Sequence, residues 1–175
     1  MGLQGTRVVE LKIPSELGYE KIAREAVATV ARRLEFGEDK IEDIKTAISE
    51  ACTNAIRYGG GADARLKVVV VLTADDEKLD ILIKDPGAGG APPGDIEIPD
   101  INGMVAGERR LGGMGLFIIQ ELVDEAGFIE SADDNEGNQF HMVIYRVLTS
   151  EQSDETDASN NTSKDKQIME GQRNE

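Results

Sequence analysis

Thr46-Ala47-Ile48-Ser49-Glu50-Ala51-Cys52-Thr53-Asn54-Ala55-Ile56 carries one charge, the Glu50 carboxylate, in a run that is otherwise small or apolar. Ile41, Ile44, Ile48, Ala51 and Ala55 recur at helical spacing, which predicts a helix from about Glu38 to Tyr58, broken by Gly59-Gly60-Gly61. Glu50 and Asn54 are four residues apart and therefore stand one above the other on the same flank. At about 100° per residue, that flank lies roughly a quarter turn from the Ala51/Ala55 stripe. A carboxylate and an amide thus border the core, where an unpaired charge is costly. Taken alone, the pair reads slightly more readily as a solvated polar edge than as a site.

Towards the N-terminus, Val8-Val9-Glu10-Leu11-Lys12-Ile13 reads as a strand stopped by Pro14. Ser15 is placed to cap a helix whose apolar stripe is Ile22, Ala26, Val27, Val30 and Leu34, with Gly37 as its end. On the other side, Leu66, Val68, Val70 and Leu72 alternate, as do Leu79, Ile81 and Ile83, around the acidic turn Asp75-Asp76-Glu77. Period-two alternation marks a sheet with one buried face. A loop rich in Gly, Pro and Asp runs from Asp85 to about Gly115, followed by a helix from Leu116 to Ala126. Strands at Phe128-Ile129-Glu130 and from Gln139 to Val147 complete the pattern. Strands in runs, with helices gathered on one side, predict an α+β two-layer sandwich with a mixed, mostly antiparallel sheet.

Composition narrows the chemistry. With 175 residues, the chain has room for one domain and a tail. Trp is absent and aromatics are 4%, so the core must be aliphatic. A formal net charge of -15 argues against nucleic acid or an anionic membrane as partner, since both need a basic face. A single Cys excludes an internal disulfide, and a single His excludes a multi-histidine metal site. No stretch approaches the roughly 20 apolar residues of a membrane span. Met1-Gly2-Leu3-Gln4-Gly5-Thr6 fits the loose acylation pattern, but no polybasic patch supplies a second anchor. A reduced, cytoplasmic protein is expected. From Ser150 to Glu175 there is no aromatic residue, and seven acids face three bases. That composition predicts a disordered acidic tail, residues 150–175, behind a domain spanning 1–149.

Two glycine-bearing segments complete the pattern. Asp85-Pro86-Gly87-Ala88-Gly89-Gly90 follows directly on a strand, which puts a carboxylate at a pocket floor beside adaptable backbone. Gly112-Gly113-Met114-Gly115-Leu116 opens a helix, where free backbone N–H groups suit phosphate. Each segment alone is also an ordinary loop.

Taken in order, Glu-x-x-x-Asn on a helix, Asp-x-Gly-x-Gly after a strand and a Gly-rich lid resemble the nucleotide-binding boxes of the GHKL (Bergerat-fold) ATPase superfamily. Within it, Glu38-Asp39-Lys40-Ile41-Glu42-Asp43-Ile44-Lys45, Ser49 through Ile56, and Gly115-Leu116-Phe117-Ile118-Ile119-Gln120-Glu121-Leu122-Val123-Asp124-Glu125 are similar to the anti-sigma factor serine-protein kinases. The resemblance covers roughly residues 8 to 148. It implies ATP and Mg²⁺ as cofactors, with Asn54 a magnesium ligand and Glu50 the general base for an attacking hydroxyl. It assigns Asp85 to the adenine amino group, and Gly87 and Gly89 to close passage of the chain along the nucleotide. Gly112, Gly113 and Gly115 would meet the phosphates, joined by Arg109 or Arg110, whose charge offsets an acidic domain. Asn138, in Gly137-Asn138-Gln139-Phe140, stands where the superfamily often has Thr, and would sit near the adenine. Tyr58 stands where many relatives carry His, and Met114 has no chemical role of its own.

The function implied is an ATP-dependent serine/threonine kinase that acts as an anti-sigma factor. It would sequester an alternative sigma factor, phosphorylate a STAS-type anti-anti-sigma partner, and form a homodimer. The alternative is a nucleotide-dependent partner-switching module without transferase activity, against which Glu50 speaks, because a pure binder needs no base. A motor ATPase of the gyrase or mismatch-repair kind is disfavoured, since no transducer domain accompanies the boxes. His141 reads as a structural strand residue and Cys52 as a small core side chain.

Overall fold

A computed structural model describes residues 5–87, 114–129 and 137–147. In chain order the elements are β1 (Arg7–Pro14), α1 (Glu20–Arg33), α2 (Glu38–Asn54), a π-helical turn (Ala55–Gly59), β2 (Lys67–Ala74), β3 (Lys78–Lys84), α3 (Met114–Leu122), β4 (Glu125–Ile129) and β5 (Gln139–Tyr145). The strands lie in the order β1-β2-β3-β5-β4. Every described pairing is antiparallel, so the mixed sheet allowed by the sequence is antiparallel throughout these residues. The tight turn after Ala74, where Asp75 N–H donates to Lys78 O at 3.1 Å, enforces that direction for β2 and β3.

Register sorts the side chains onto two faces. Leu11, Val70, Ile83, Phe140 and Phe128 face one another across the five strands, as do Val9, Leu72, Ile81, Met142 and Ala126 one step along. This face meets the helices. Ile41, Ile44, Ile48, Ala51 and Cys52 of α2 are buried, as the periodicity of that segment requires. Leu116 and Ile119 of α3 and the following Val123 join the same core. A fully buried Ile or Leu contributes about 1.5–3 kcal/mol. Edge-to-face packing of Phe128 on Phe140, with ring centroids 5.0 Å apart, adds the main aromatic contact.

Five local expectations are corrected. Ser15 does not cap α1, which begins five residues later without a side-chain cap. Its N–H instead extends the β1–β2 ladder by donating to Leu66 O at 2.9 Å, and its hydroxyl is buried. Of the predicted α1 stripe, Val27 and Leu34 are buried and Val30 packs on the core, but Ile22 is exposed and Ala23, Ala28 and Ala31 fill the rest of the buried face. Gly37 does not end α1 but precedes α2; the chain turns at Glu35, at φ 60°. Finally, α3 stops at Leu122 and Ala126 already lies in β4, while β5 ends at Tyr145 rather than Val147. The predicted tail, most of the loop after Gly87 and Glu130 lie outside the described residues.

Candidate functional site

The two carboxylates singled out above lie on α2 and directly after β3. Glu50 lies on the half-buried flank of α2, and Asn54, one turn on, is its last residue. The π-helical turn that follows widens the helix by one residue per turn and re-aims what comes next. Its geometry is pinned from outside the helix: Ile56 O accepts both the Ser15 hydroxyl, at 3.4 Å, and the Ala62 N–H, at 2.9 Å. The turn delivers Gly59 against Asp85, so closely that a Cβ on Gly59 would overlap the Asp85 side chain. Next to it, a Cβ on Gly60 would overlap Ser15.

Asp85 follows the last residue of β3, and its carboxylate is held from two directions. Its Oδ1 accepts the Gly87 N–H at 2.8 Å and the Asn138 N–H at 3.0 Å, and its Oδ2 accepts the Asn138 side-chain amide at 3.0 Å. Gly87 takes φ 77°, a conformation that glycine adopts without strain, in the turn whose N–H bonds back to the carboxylate. Gly137 completes the corner; a Cβ there would overlap Asp85 and the Gly87 nitrogen. Glu50 has a different neighbour. At the first turn of α3, the Gly115 backbone packs so tightly on the Glu50 carboxylate that a Cβ would overlap it. The far end of α3 is tied to the start of α2 by Lys40, whose Nζ donates to Leu122 O at 3.0 Å.

Of the residues expected to form the site, Glu50 and Gly115 are brought together, as are Asp85, Gly87 and Asn138. Asn54 lies on the segment joining the two groups. Gly89, Arg109, Arg110, Gly112 and Gly113 lie outside the described residues. Gly59, Ser15 and Gly137 have positional roles that their sequence context does not announce: Gly59 reads as a chain break, Ser15 as a helix cap. Tyr58 is exposed beside Gly59. His141 points away from the helices and pairs with Asp80, with Nε2 and Oδ1 2.9 Å apart. Cys52 is fully buried, and burial pushes its thiol up to about 12. Among the described residues no helix is long and apolar enough to cross a membrane, and no group of three or more His, Cys, Asp or Glu could hold a metal ion.

A five-stranded antiparallel sheet whose inner face packs on helices has the architecture of an ATPase domain of the histidine kinase-like kind. The histidine kinase-like ATPase domain family matches residues 13–144, and the chain belongs to that family. More narrowly, it belongs with the serine-protein kinases of the RsbW type and shares their use of ATP. It is 32% identical over 120 residues to serine-protein kinase RsbW of Bacillus velezensis, covering 67% of this chain and 74% of that protein. Identity to serine-protein kinase RsbW of Bacillus subtilis is 30% over the same length and coverage. Among solved structures, the RsbU and RsbW domains of Rv1364c from Mycobacterium tuberculosis superpose with a TM-score of 0.54 at 17% identity, over 81% of this chain. That likeness spans 33% of the longer chain. The SiaB-SiaC complex from Pseudomonas aeruginosa gives a TM-score of 0.50 at 14% identity, over 79% of this chain and 89% of that one. These two likenesses support the fold.

Proposed function

We propose that the chain is an ATP- and Mg²⁺-dependent serine/threonine kinase that acts as an anti-sigma factor, phosphorylating a STAS-type anti-anti-sigma partner and sequestering an alternative sigma factor. The observation that carries the reading is the different surroundings of two carboxylates. Asp85 is surrounded by N–H donors at the end of β3, which suits an acceptor for a nucleobase. Glu50 stands apart from it against Gly115, where the lid helix begins. A site that pairs an acceptor for a base with a second carboxylate has the parts of a phosphotransferase, because a pure binder needs only the first.

The donor sets fit the nucleotide and the metal. Gly59 and Gly137 pack directly on the Asp85 side chain, where any Cβ would overlap it, and Asn54 offers an uncharged oxygen at the end of α2. Magnesium keeps several waters and takes few protein ligands beside phosphates, so one amide suffices; when bound, it neutralises phosphate charge. Glu50 accepts the proton of the incoming serine or threonine hydroxyl as its oxygen bonds to the γ-phosphorus and the bond to the ADP oxygen breaks. Gly115 and the residues before it present N–H groups to the phosphates. In this reading residues 1–149 form the catalytic domain, 150–175 an acidic tail, and the working species is a cytoplasmic homodimer.

Incubation of the chain with labelled ATP, Mg²⁺ and STAS-domain proteins encoded beside it tests the proposal. Label should appear on a serine or threonine of the partner. ATP binding with no transfer to any such protein would leave a partner-switching module and refute the kinase.

A further inference from the structure

The Asp85–Asn138 pair is more elaborate than the end of a sheet requires. The β3–β5 ladder has Lys84 opposite Gln139, so Asp85 and Asn138 are the next facing pair. Between them run three hydrogen bonds. The Asp85 N–H donates to Asn138 O at 3.0 Å, the Asn138 N–H to Asp85 Oδ1 at 3.0 Å, and Asn138 Nδ2 to Asp85 Oδ2 at 3.0 Å. With the Gly87 N–H at 2.8 Å, Oδ1 accepts two donors and Oδ2 one. A carboxylate offers about four acceptor sites, two on each oxygen, so the one left is on Oδ2. The torsion that turns a carboxylate plane is soft, with broad wells. Two donors from one residue, one to each oxygen, remove that freedom.

We infer that Asn138 is the positioning residue that sets nucleobase specificity: its side-chain amide locks the Asp85 carboxylate so that a single outward acceptor site, on Oδ2, faces the base. The inference rests on the reading above, in which Asp85 receives the adenine amino group. A fixed lone acceptor rewards a base that presents an N–H donor there. Guanine presents a carbonyl at the same place, and acceptor meets acceptor. Without the Asn138 amide, Oδ2 has two open sites and the plane can turn, so water can enter and bridge to a carbonyl. Adenine then loses its aligned partner while guanine loses part of its penalty. Asn138 thus acts through Asp85, and the hydrogen-bonded unit, rather than the carboxylate alone, is the reader.

The test is calorimetric titration of ATP and GTP, each with Mg²⁺, into the full chain and into Asn138→Leu and Asn138→Ser. Leucine keeps the bulk and removes the donor. Serine keeps a polar group too short to reach Oδ2, and serves if leucine perturbs folding, which thermal unfolding reports. Losing a hydrogen bond to a charged group predicts a fall of about tenfold or more in ATP affinity. GTP affinity should change by about twofold or less, so the ATP/GTP ratio contracts about tenfold. A residue that merely stabilised the strand end would weaken both nucleotides equally; an unchanged ratio in the variants overturns the inference while leaving the ATP pocket standing. A parent chain that does not prefer ATP to GTP would overturn both this inference and the assignment of Asp85.

Discussion

Asp85 and Glu50 are both half-buried carboxylates with different neighbours, and the proposed roles predict that substitution should separate them. Asp85→Asn keeps the shape but removes the charged acceptor, so affinity for ATP and ADP should fall together. A hydrogen bond to a charged group is worth about 1.5–3 kcal/mol, which predicts a loss of about ten- to a hundredfold by calorimetry. Unchanged affinity would remove Asp85 from the pocket. Glu50→Gln should behave otherwise. Nucleotide binding persists, whereas transfer to a partner hydroxyl drops by about 10²–10⁴-fold, the usual weight of a general base. Asn54→Ala, on the same flank, should lower Mg²⁺-dependent ATP binding and transfer together. Wild-type transfer by Glu50→Gln, measured beside nucleotide affinity, would dismiss Glu50 as the base. The positions of these residues are legible in the sequence because α2 and β3 carry strong periodicity and Asp85 follows β3 directly. Their neighbours are not legible: Gly59 against Asp85, and Gly115 against Glu50, are contacts that only the folded chain creates.

At the scale of elements, legibility follows the size of the side chains that do the packing. Three isoleucines mark the inner face of α2, and β2 and β3 alternate cleanly, so these segments read correctly from pattern alone. The face of α1 is made largely of alanines, whose weak hydrophobic signal was outweighed by the larger but exposed Ile22. The π-helical turn has no periodic signature; it is stabilised by bonds from Ser15 and Ala62 to a single carbonyl. The end of α1 misled for another reason. Phe36 N–H donates to Ala31 O at 3.2 Å and Glu35 N–H to Arg32 O at 3.0 Å, the paired bonds of a Schellman closure that usually employs glycine. Here a non-glycine residue, Glu35, occupies the left-handed position at φ 60°. Its contact with Arg146, at 3.5 Å, is too exposed to compensate much. Glu35→Gly should therefore stabilise the fold by about 0.5–1 kcal/mol, a rise of about 1–4 °C in melting temperature. A lower melting temperature would show that the ion pair outweighs the backbone strain.

For the whole molecule, the proposed boundary predicts that truncation after Ser150 leaves melting temperature and ATP affinity unchanged, since the removed segment has little to bury. A fall in either would mean that residues 150–175 pack on the domain. The integrity of the domain can be followed through one atom, because Cys52 is the only cysteine and is buried in the core face of α2. Burial raises its thiol from an ordinary value of 9.0 to about 12, so the nucleophilic thiolate is almost absent from the native state at pH 8. The sign for stability follows. A group whose folded value is raised contributes fully below the unfolded value, near 9, and that contribution is lost as pH climbs from there towards about 12. Alkaline conditions should thus destabilise the chain through this residue. At pH 8, a thiol reagent in excess should label Cys52 only when α2 opens, at a rate reduced from that of the denatured chain by the opening equilibrium. A ligand that binds only the closed domain lowers that equilibrium further. Saturating ATP with Mg²⁺, at about 100 times its dissociation constant, should slow labelling by about a hundredfold. Rapid stoichiometric labelling of the folded chain, indifferent to ATP, would show that the helix carrying Glu50 and Asn54 opens independently of the nucleotide pocket.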